Sequence, residues 1–481
     1  MKTRFTARFF IALLFSVLVL NSCQKDTGPQ KKADWTVIFY GNGGHNLDAD
    51  ILDNLRALYQ GLSLYGNCEA AVMFKLSADP DPDMLETLTE DGFAFSPATT
   101  YRFCIDPAMG TSPQLQFTSE NVFGAEGGNL DITEAGLLSD FIRWAAEKRP
   151  ARRYLLILSS HGRGYQPQLD PYTPPLKSVL VDDGHDKRSM PICTLRNAIL
   201  KAGVPVSCIY LDACVMNTLE NIYELQPLSD YLIAATGGMP DLGGDYAALV
   251  RRLASAGTDP GAAFSGYVDD TADNWNAYAD KGLDPDEFVR CNIALLHTSP
   301  ALAAAPALKT FMDDLLAAYS DPARRADIDA ITETTPANDT EYPCCYDLFA
   351  YLEDLRPHIP SAAEALEALG DVLMHNRGNR YTESIGTPSI NFLLGAEGTF
   401  ELLHLDAEGE QISYVERFYW DGSLTRIDYS VGMPGEEIPA GDWGGSGPAT
   451  YEPLRLNQLT GWSRWLLVNQ QKPMVLYEGR P

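Results

Sequence analysis

Two short apolar runs, each ending abruptly on a polar cluster, constrain the fold of this 481-residue chain most strongly. Residues 154–164 (YLLILSSHGRG) end on His161 and Gly162, and residues 208–218 (CIYLDACVMNT) pass through Asp212 to Cys214. Short branched runs of this kind are typical of strands in a parallel sheet that is buried on both faces. In such sheets catalytic and ligand-binding residues lie just beyond the carboxyl ends of the strands, so we expect the imidazole and the thiol to lie close together there.

A thiol beside an imidazole is the pair that nucleophilic acyl transfer needs, because the imidazole favours the thiolate and later protonates the leaving amine. His161 lies about 50 residues before Cys214, the order and separation of caspase-type peptidases. The pattern of residues 216–225 predicts a helix with Cys214 near its N-terminus. The alternatives are a Cys that serves as a small buried apolar residue and a His that caps a strand.

Longer segments around these residues resemble a known family. Residues 137–165 (LLSDFIRWAAEKRPARRYLLILSSHGRGY) resemble the catalytic-His segment of the clostripain-like cysteine peptidases, and residues 180–235 resemble their catalytic-Cys segment. Residues 34–58 (DWTVIFYGNGGHNLDADILDNLRAL) resemble the opening strand and helix, and residues 346–352 (YDLFAYL) give a weaker match. The resemblance implies an α/β fold, a caspase-like three-layer α/β/α sandwich with a mostly parallel sheet, and a C-terminal α+β region.

The resemblance also implies an activity and a role for each matching residue. It implies a cysteine endopeptidase that works through a Cys-His dyad and a thioester acyl-enzyme. Cys214 would be the nucleophile and His161 the general acid and base, with the backbone N–H groups of Gly162 and Cys214 as the oxyanion hole. Asp212 matches a residue that helps line the S1 pocket for Arg or Lys. The alternative for Asp212 is a structural carboxylate that orients nearby backbone.

One segment departs from the family pattern. Residues 236–246 (TGGMPDLGGDY) carry glycines where the family has Glu and Trp. Asp241 or Asp245 would have to supply a second S1 carboxylate, although loop acids are more often simply solvated. The departure motivates a second hypothesis, a non-catalytic surface lipoprotein that binds peptides or glycans on a peptidase-derived scaffold.

The first residues form a targeting segment. Residues 1–22 combine a basic start with an apolar stretch too short to span a bilayer, and they end before Cys23 in the manner of a bacterial lipoprotein signal peptide. Cys23 would then carry the lipid, and residues 23–33 would be a flexible tether. The alternatives are an ordinary secretory peptide and a transmembrane anchor. We expect a protein held in the cell envelope, periplasmic or on the surface, by its N-terminal lipid.

The net charge of −29 argues against nucleic acid as a partner. The expected partners are a peptide or protein substrate and the lipid bilayer. The chemistry requires no cofactor, and no CxxC pair or His-rich spacing predicts a zinc site. Some family members need Ca²⁺, and Asp182 with Asp183 after a strand is a candidate ligand pair, although such a pair more often forms a turn.

The remaining pattern divides the chain. Residues 34–260 alternate strand and helix and predict the peptidase domain, and residues 261–481 predict helices at 301–318 and 361–375 with antiparallel hairpins over 388–429. Residues 162–177 form a proline-rich loop between the His and Cys strands, where family members are often cut. Lys177 is the predicted self-cleavage site, and the alternative is a loop that stays intact.

Overall fold

The computed structural model describes residues 32–44, 46–80, 96–106, 128–164, 178–185, 188–280, 291–336, 346–383, 389–392, 397–405, 411–420, 425–430, 454–468 and 473–478. Ala33–Pro481 form one compact unit. Within the described residues, no helix combines the length and the apolar character that crossing a membrane requires.

The helices and strands are numbered here in chain order. Those of the first half are β1 Ala33–Asn42, α1 Asp48–Leu64, β2 Cys68–Lys75, β3 Thr100–Ile105, α2 Ala135–Lys148, β4 Ala151–Ser159, β5 Gly162–Gly164, β6 Ser178–Asp182, β7 Arg188–Met190, α3 Ile192–Ala202, β8 Cys208–Asp212, α4 Leu219–Leu225, β9 Tyr231–Ala235 and α5 Tyr246–Ser255.

Those of the second half are α6 Pro260–Ala279, β10 Asn292–His297, α7 Ser299–Tyr319, α8 Pro322–Thr334, β11 Tyr346–Asp347, α9 Leu348–Leu355, α10 Ser361–Gly370, β12 Leu373–Gly378, α11 Arg380–Glu383, β13 Asn391–Phe392, β14 Glu397–Leu405, β15 Gln411–Trp420, β16 Thr425–Ser430, α12 Arg455–Thr460, α13 Ser463–Val468 and β17 Pro473–Glu478.

The centre of the molecule is an eight-stranded sheet in the order β12-β10-β9-β8-β4-β1-β2-β3. The five strands from β9 to β2 run parallel, and β10, β12 and β3 join antiparallel at the edges. Alternate side chains of β1 point to opposite faces: Ile38 lies in one buried core and Phe39 in the other. Helices α2, α3 and α7 cover the first face, and α1, α5 and α6 cover the second. The predicted α/β fold with a mostly parallel sheet is confirmed.

The second half of the chain contributes to this same sheet. The sequence pattern predicts a boundary after residue 260, whereas β10 and β12 lie beyond it and complete one side of the sheet. The helix predicted over residues 361–375 ends at Gly370, and His375 lies on β12 opposite Leu295. Local pattern missed this strand because its pairing partner is distant in the chain. The antiparallel hairpins predicted over residues 388–429 are present as β14, β15 and β16.

Candidate active site

The two strands that carry the predicted dyad are neighbours. β4 and β8 pair in parallel, with Ser159 opposite Asp212. His161 and Cys214 each follow their strand by two residues, so the register brings them to the same edge of the sheet. Both line one cleft of about 370 Å³, counting its open mouth, which is also lined by Leu47, Ile51, Asn54, Ser159, Ser160, Asp212, Ala213, Met239, Pro240, Asp241 and Gly243.

The turn that presents Cys214 is fastened to the segment after β9. The backbone N–H of Met239 lies 3.3 Å from Cys214 Sγ, and the N–H of Val215 donates to Gly237 O at 2.9 Å. Val215 has a φ of +51°, a conformation that a β-branched residue adopts only when its surroundings hold it there. The Cys214 thiol in turn donates to Met239 O at 3.7 Å, so the backbone of Met239 holds the sulfur in place.

The prediction that Cys214 lies at a helix N-terminus is wrong. Helix α4 begins at Leu219, and Thr218 caps it by accepting the N–H of Asn221. The residues between Cys214 and Thr218 are instead tied to the end of β9, where the N–H of Asn217 donates to Ala235 O at 2.8 Å. Backbone groups that local propensity assigns to the helix therefore form hydrogen bonds with the end of the neighbouring strand β9 instead.

His161 has a partner that the sequence motifs do not indicate. Its Nε2 lies 2.8 Å from Oδ1 of Asn46, in the polar segment that follows β1. With the amide oxygen as acceptor, Nε2 carries the hydrogen and Nδ1 is the basic nitrogen of the ring. Asn46 follows β1, and the strand order places β1 next to β4, the strand that precedes His161. The sequence shows the polar residues after β1 but not that β1 and β4 are neighbours.

At Gly162, the turns that carry His161 and Cys214 lie closer together than any side chain at this position would permit. A Cβ at this position would lie 2.6 Å from the Cβ of Ala213 and 2.7 Å from the carbonyl oxygen of Cys214. Gly162 also pairs with Val179 of β6. The glycine therefore permits the close approach of the two turns.

Asp212 lies at the floor of the cleft and is buried. Its Oδ1 accepts a hydrogen bond from Tyr210 at 3.0 Å, and its Oδ2 accepts one from Ser159 at 3.1 Å and a short one from Tyr246. Burial raises the pKa of the Asp212 carboxyl, and these hydrogen bonds partly offset that rise. Among the described residues, no Lys or Arg forms an ion pair with it.

The two loop acids near the cleft have different positions. Asp241 is exposed at the rim, and the partial burial of its carboxyl raises its pKa. Asp245 instead caps α5 by accepting the N–H of Ala248 at 2.9 Å. The departure at Gly244 has a packing reason, because a Cβ there would lie 2.0 Å from the hydroxyl of Tyr267.

The candidate Ca²⁺ ligand Asp182 has an internal cation beside it. Asp131, Asp182 and His185 bring ligand atoms together. Lys75 Nζ, however, lies 2.6 Å from Asp182 Oδ1 and 3.2 Å from His185 Nδ1. An ammonium group therefore already neutralises the carboxylate that a metal ion would need at this position. The side chain of Asp183 lies outside the described residues.

Two further predicted residues also lie outside the described part of the chain. Cys23 precedes the first described residue, and Lys177 precedes β6. Their roles stay predictions.

Comparison with known proteins gives concordant results. The model of the clostripain family matches residues 107–369, more than half of the chain. Clostripain from Hathewaya histolytica is 23% identical over 231 residues, which cover 46% of this chain and 42% of that protein. The chain thus matches less than half of the length of this relative.

Solved structures show the same fold. A secreted C11 cysteine protease from Bacteroides thetaiotaomicron, in complex with an irreversible peptide inhibitor, superposes with a TM-score of 0.55 at 14% identity and covers 89% of this chain and 99% of that one. An inactive zymogen C11 protease from Parabacteroides distasonis gives 0.52 at 13% identity over 89% of this chain and 98% of that one. These structures share the fold of this chain. Because the clostripain family model matches more than half of its residues, the chain belongs to the clostripain family.

Proposed function

We propose that this protein is a cysteine endopeptidase in which Cys214 and His161 form the catalytic dyad. The observation that carries the proposal is their position at the ends of two adjacent parallel strands, in one cleft, with an N–H donor directed at the sulfur. Membership of the clostripain family supports it.

The reaction follows from the groups at the site. His161 takes the thiol proton at Nδ1, and the thiolate of Cys214 attacks the scissile carbonyl carbon. The N–H groups of Gly162 and Cys214 stabilise the negative oxygen of the tetrahedral intermediate. Collapse of that intermediate breaks the C–N bond, and the leaving amine takes the proton from His161. Water then gives its proton to His161 and hydrolyses the thioester, which restores the thiol.

We assign the S1 pocket to the cleft between Asp212 and Asp241, with Arg or Lys as the P1 residue. The support is a buried carboxylate at the floor without an ion pair among the described residues, together with a second carboxylate at the rim. A cationic side chain would provide the missing counter-charge.

Fluorogenic peptides with Arg, Lys or neutral P1 residues test the activity. Cys214→Ala and His161→Ala should each abolish turnover while circular dichroism stays unchanged, and Cys193→Ala, which removes a partly buried thiol elsewhere, should be active. Activity near wild type in either dyad variant would refute the dyad. A wild-type protein that binds peptides or glycans without turnover would support the non-catalytic alternative.

We propose lipidation at Cys23 as the anchor to the cell envelope, from the apolar run that ends before this residue. The Cys23→Ser protein should leave the membrane fraction without detergent, and its retention there after a salt wash would contradict the proposal.

We propose self-cleavage after Lys177, just before β6 begins at Ser178. β6 pairs with β5 directly after His161, so a cut there would free the loop while β6 stays beside the site. N-terminal sequencing should find Ser178 as a new terminus in the wild type and not in Cys214→Ala. A single intact chain with full activity would contradict it.

A further inference from the structure

The carboxylate at the floor of the cleft is enclosed by hydroxyl groups. Ser159 and Tyr246 donate to one oxygen of Asp212, and Tyr210 donates to the other. A carboxylate offers about four acceptor positions, two on each oxygen. Among the described residues, these bonds therefore use three of the four positions before any substrate enters, and the remaining one is on Oδ1.

The number of acceptor positions that remain on Asp212 affects arginine and lysine side chains differently. An arginine binds a carboxylate best through two parallel N–H···O bonds, one to each oxygen, whereas a lysine ammonium acts as a point charge and needs a single acceptor. Both acceptor positions of Oδ2 are occupied, so the two-bond arrangement is blocked. We infer that the S1 pocket selects lysine over arginine at P1, and that the hydroxyls of Tyr246 and Tyr210 set this preference. The inference rests on the proposed function and makes it more specific.

The packing keeps these hydroxyl groups in place. Tyr210 and Tyr246 are both fully buried, with ring centroids 6.4 Å apart. Phe39 packs edge-on against Tyr246 at 5.8 Å, and Tyr267 packs likewise against Tyr210 at 5.8 Å. A buried hydroxyl that turned away from the carboxylate would lose its hydrogen bond and gain no water. Their bonds to Asp212 should therefore persist when a substrate binds.

The experiment compares peptides that are identical except for Lys, Arg or Gln at P1. Wild-type kcat/KM for Lys should exceed that for Arg by about tenfold, the effect of one hydrogen bond to a charged group. Tyr246→Phe frees a position on Oδ2, so the Lys-to-Arg ratio should fall severalfold towards one. Tyr223→Phe is the matched control, because it removes a buried hydroxyl that donates to Ala301 O at 2.7 Å, away from the cleft, and should keep the wild-type ratio.

The same peptides are also titrated against the full-length Cys214→Ala protein by calorimetry, so that the outcome does not depend on turnover or on folding of the tyrosine variants. Tighter binding of the Lys peptide supports the inference. Equal or tighter binding of the Arg peptide overturns it while leaving a basic S1 pocket intact. Equal binding of Lys, Arg and Gln peptides overturns both the inference and the S1 assignment. If the Lys peptide binds more tightly but the wild-type protein turns over none of the peptides, only the proposed activity is overturned.

Discussion

A buried ion pair near the cleft gives the most demanding test of the structure. Lys75 at the end of β2 and Asp182 at the end of β6 have fully buried side chains, and Nζ lies 2.6 Å from Oδ1. The ammonium also donates to Leu130 O at 3.0 Å, and Asp182 Oδ2 accepts the N–H of Ile132 at 3.0 Å. The pair thus joins two strands and the segment before α2.

Replacing Lys75 with Met keeps much of the aliphatic stem and removes the charge. Asp182 then loses the ammonium that neutralises it in the interior, which costs about 3–5 kcal/mol in the free energy of unfolding. That is a large part of the roughly 5–15 kcal/mol that stabilises a typical domain. Urea unfolding at neutral pH, followed by tryptophan fluorescence and circular dichroism, measures the loss. Lys75→Met with Asp182→Asn should recover part of it, because no unpaired charge is left.

Lys309→Met is the matched control. Lys309 lies 2.7 Å from Asp313, nearly the same distance, but the two side chains are 54% and 45% exposed. A pair in solvent contributes less than about 1 kcal/mol, so this variant should unfold almost as the wild type does. Equal effects of Lys75→Met and Lys309→Met, or no recovery in the double variant, would refute the reasoning from burial.

Three further predictions concern the cleft. Asn46→Ala should lower kcat/KM by about tenfold and alter its pH profile, because the ring of His161 loses the acceptor that orients Nε2–H. Asn46→Asp keeps an acceptor and should retain more activity. An unchanged pH profile in the alanine variant would exclude a positioning role for Asn46. Gly162→Ala should reduce kcat severely, because its Cβ would lie 2.7 Å from the carbonyl oxygen of Cys214 and must push the two turns apart, and full activity would contradict the observed packing. The preference for a basic over a neutral P1 residue should fall as the pH is lowered, because the neutral form of Asp212 does not attract a cation. The fall should begin at a pH above the usual pKa range of an aspartic acid, because burial raises the pKa of Asp212. A preference that is constant down to pH 4 would place the selecting charge elsewhere.

Much of the site followed from local pattern because the strands are apolar and end abruptly. The runs before His161 and Cys214 are typical of buried strands, and two such strands in an α/β alternation present their ends at one edge. The apolar runs predicted as strands within residues 154–164 and 208–218 agree with β4 and β8. The helix predicted over residues 301–318 likewise agrees with α7.

The sequence by itself determined the alternation of strands and helices in the first half of the chain, the candidate nucleophile and base, and the edge of the sheet at which they lie, because period and strand ends are encoded by neighbouring residues. Only the tertiary structure decided which distant side chains complete the site. Asn46 reaches His161, Tyr246 reaches Asp212, and Lys75 neutralises Asp182 across long stretches of chain. The late start of α4 and the joining of β12 to the sheet have the same origin. Long-range hydrogen bonds and buried charges depend on sheet register and packing, which no local pattern specifies.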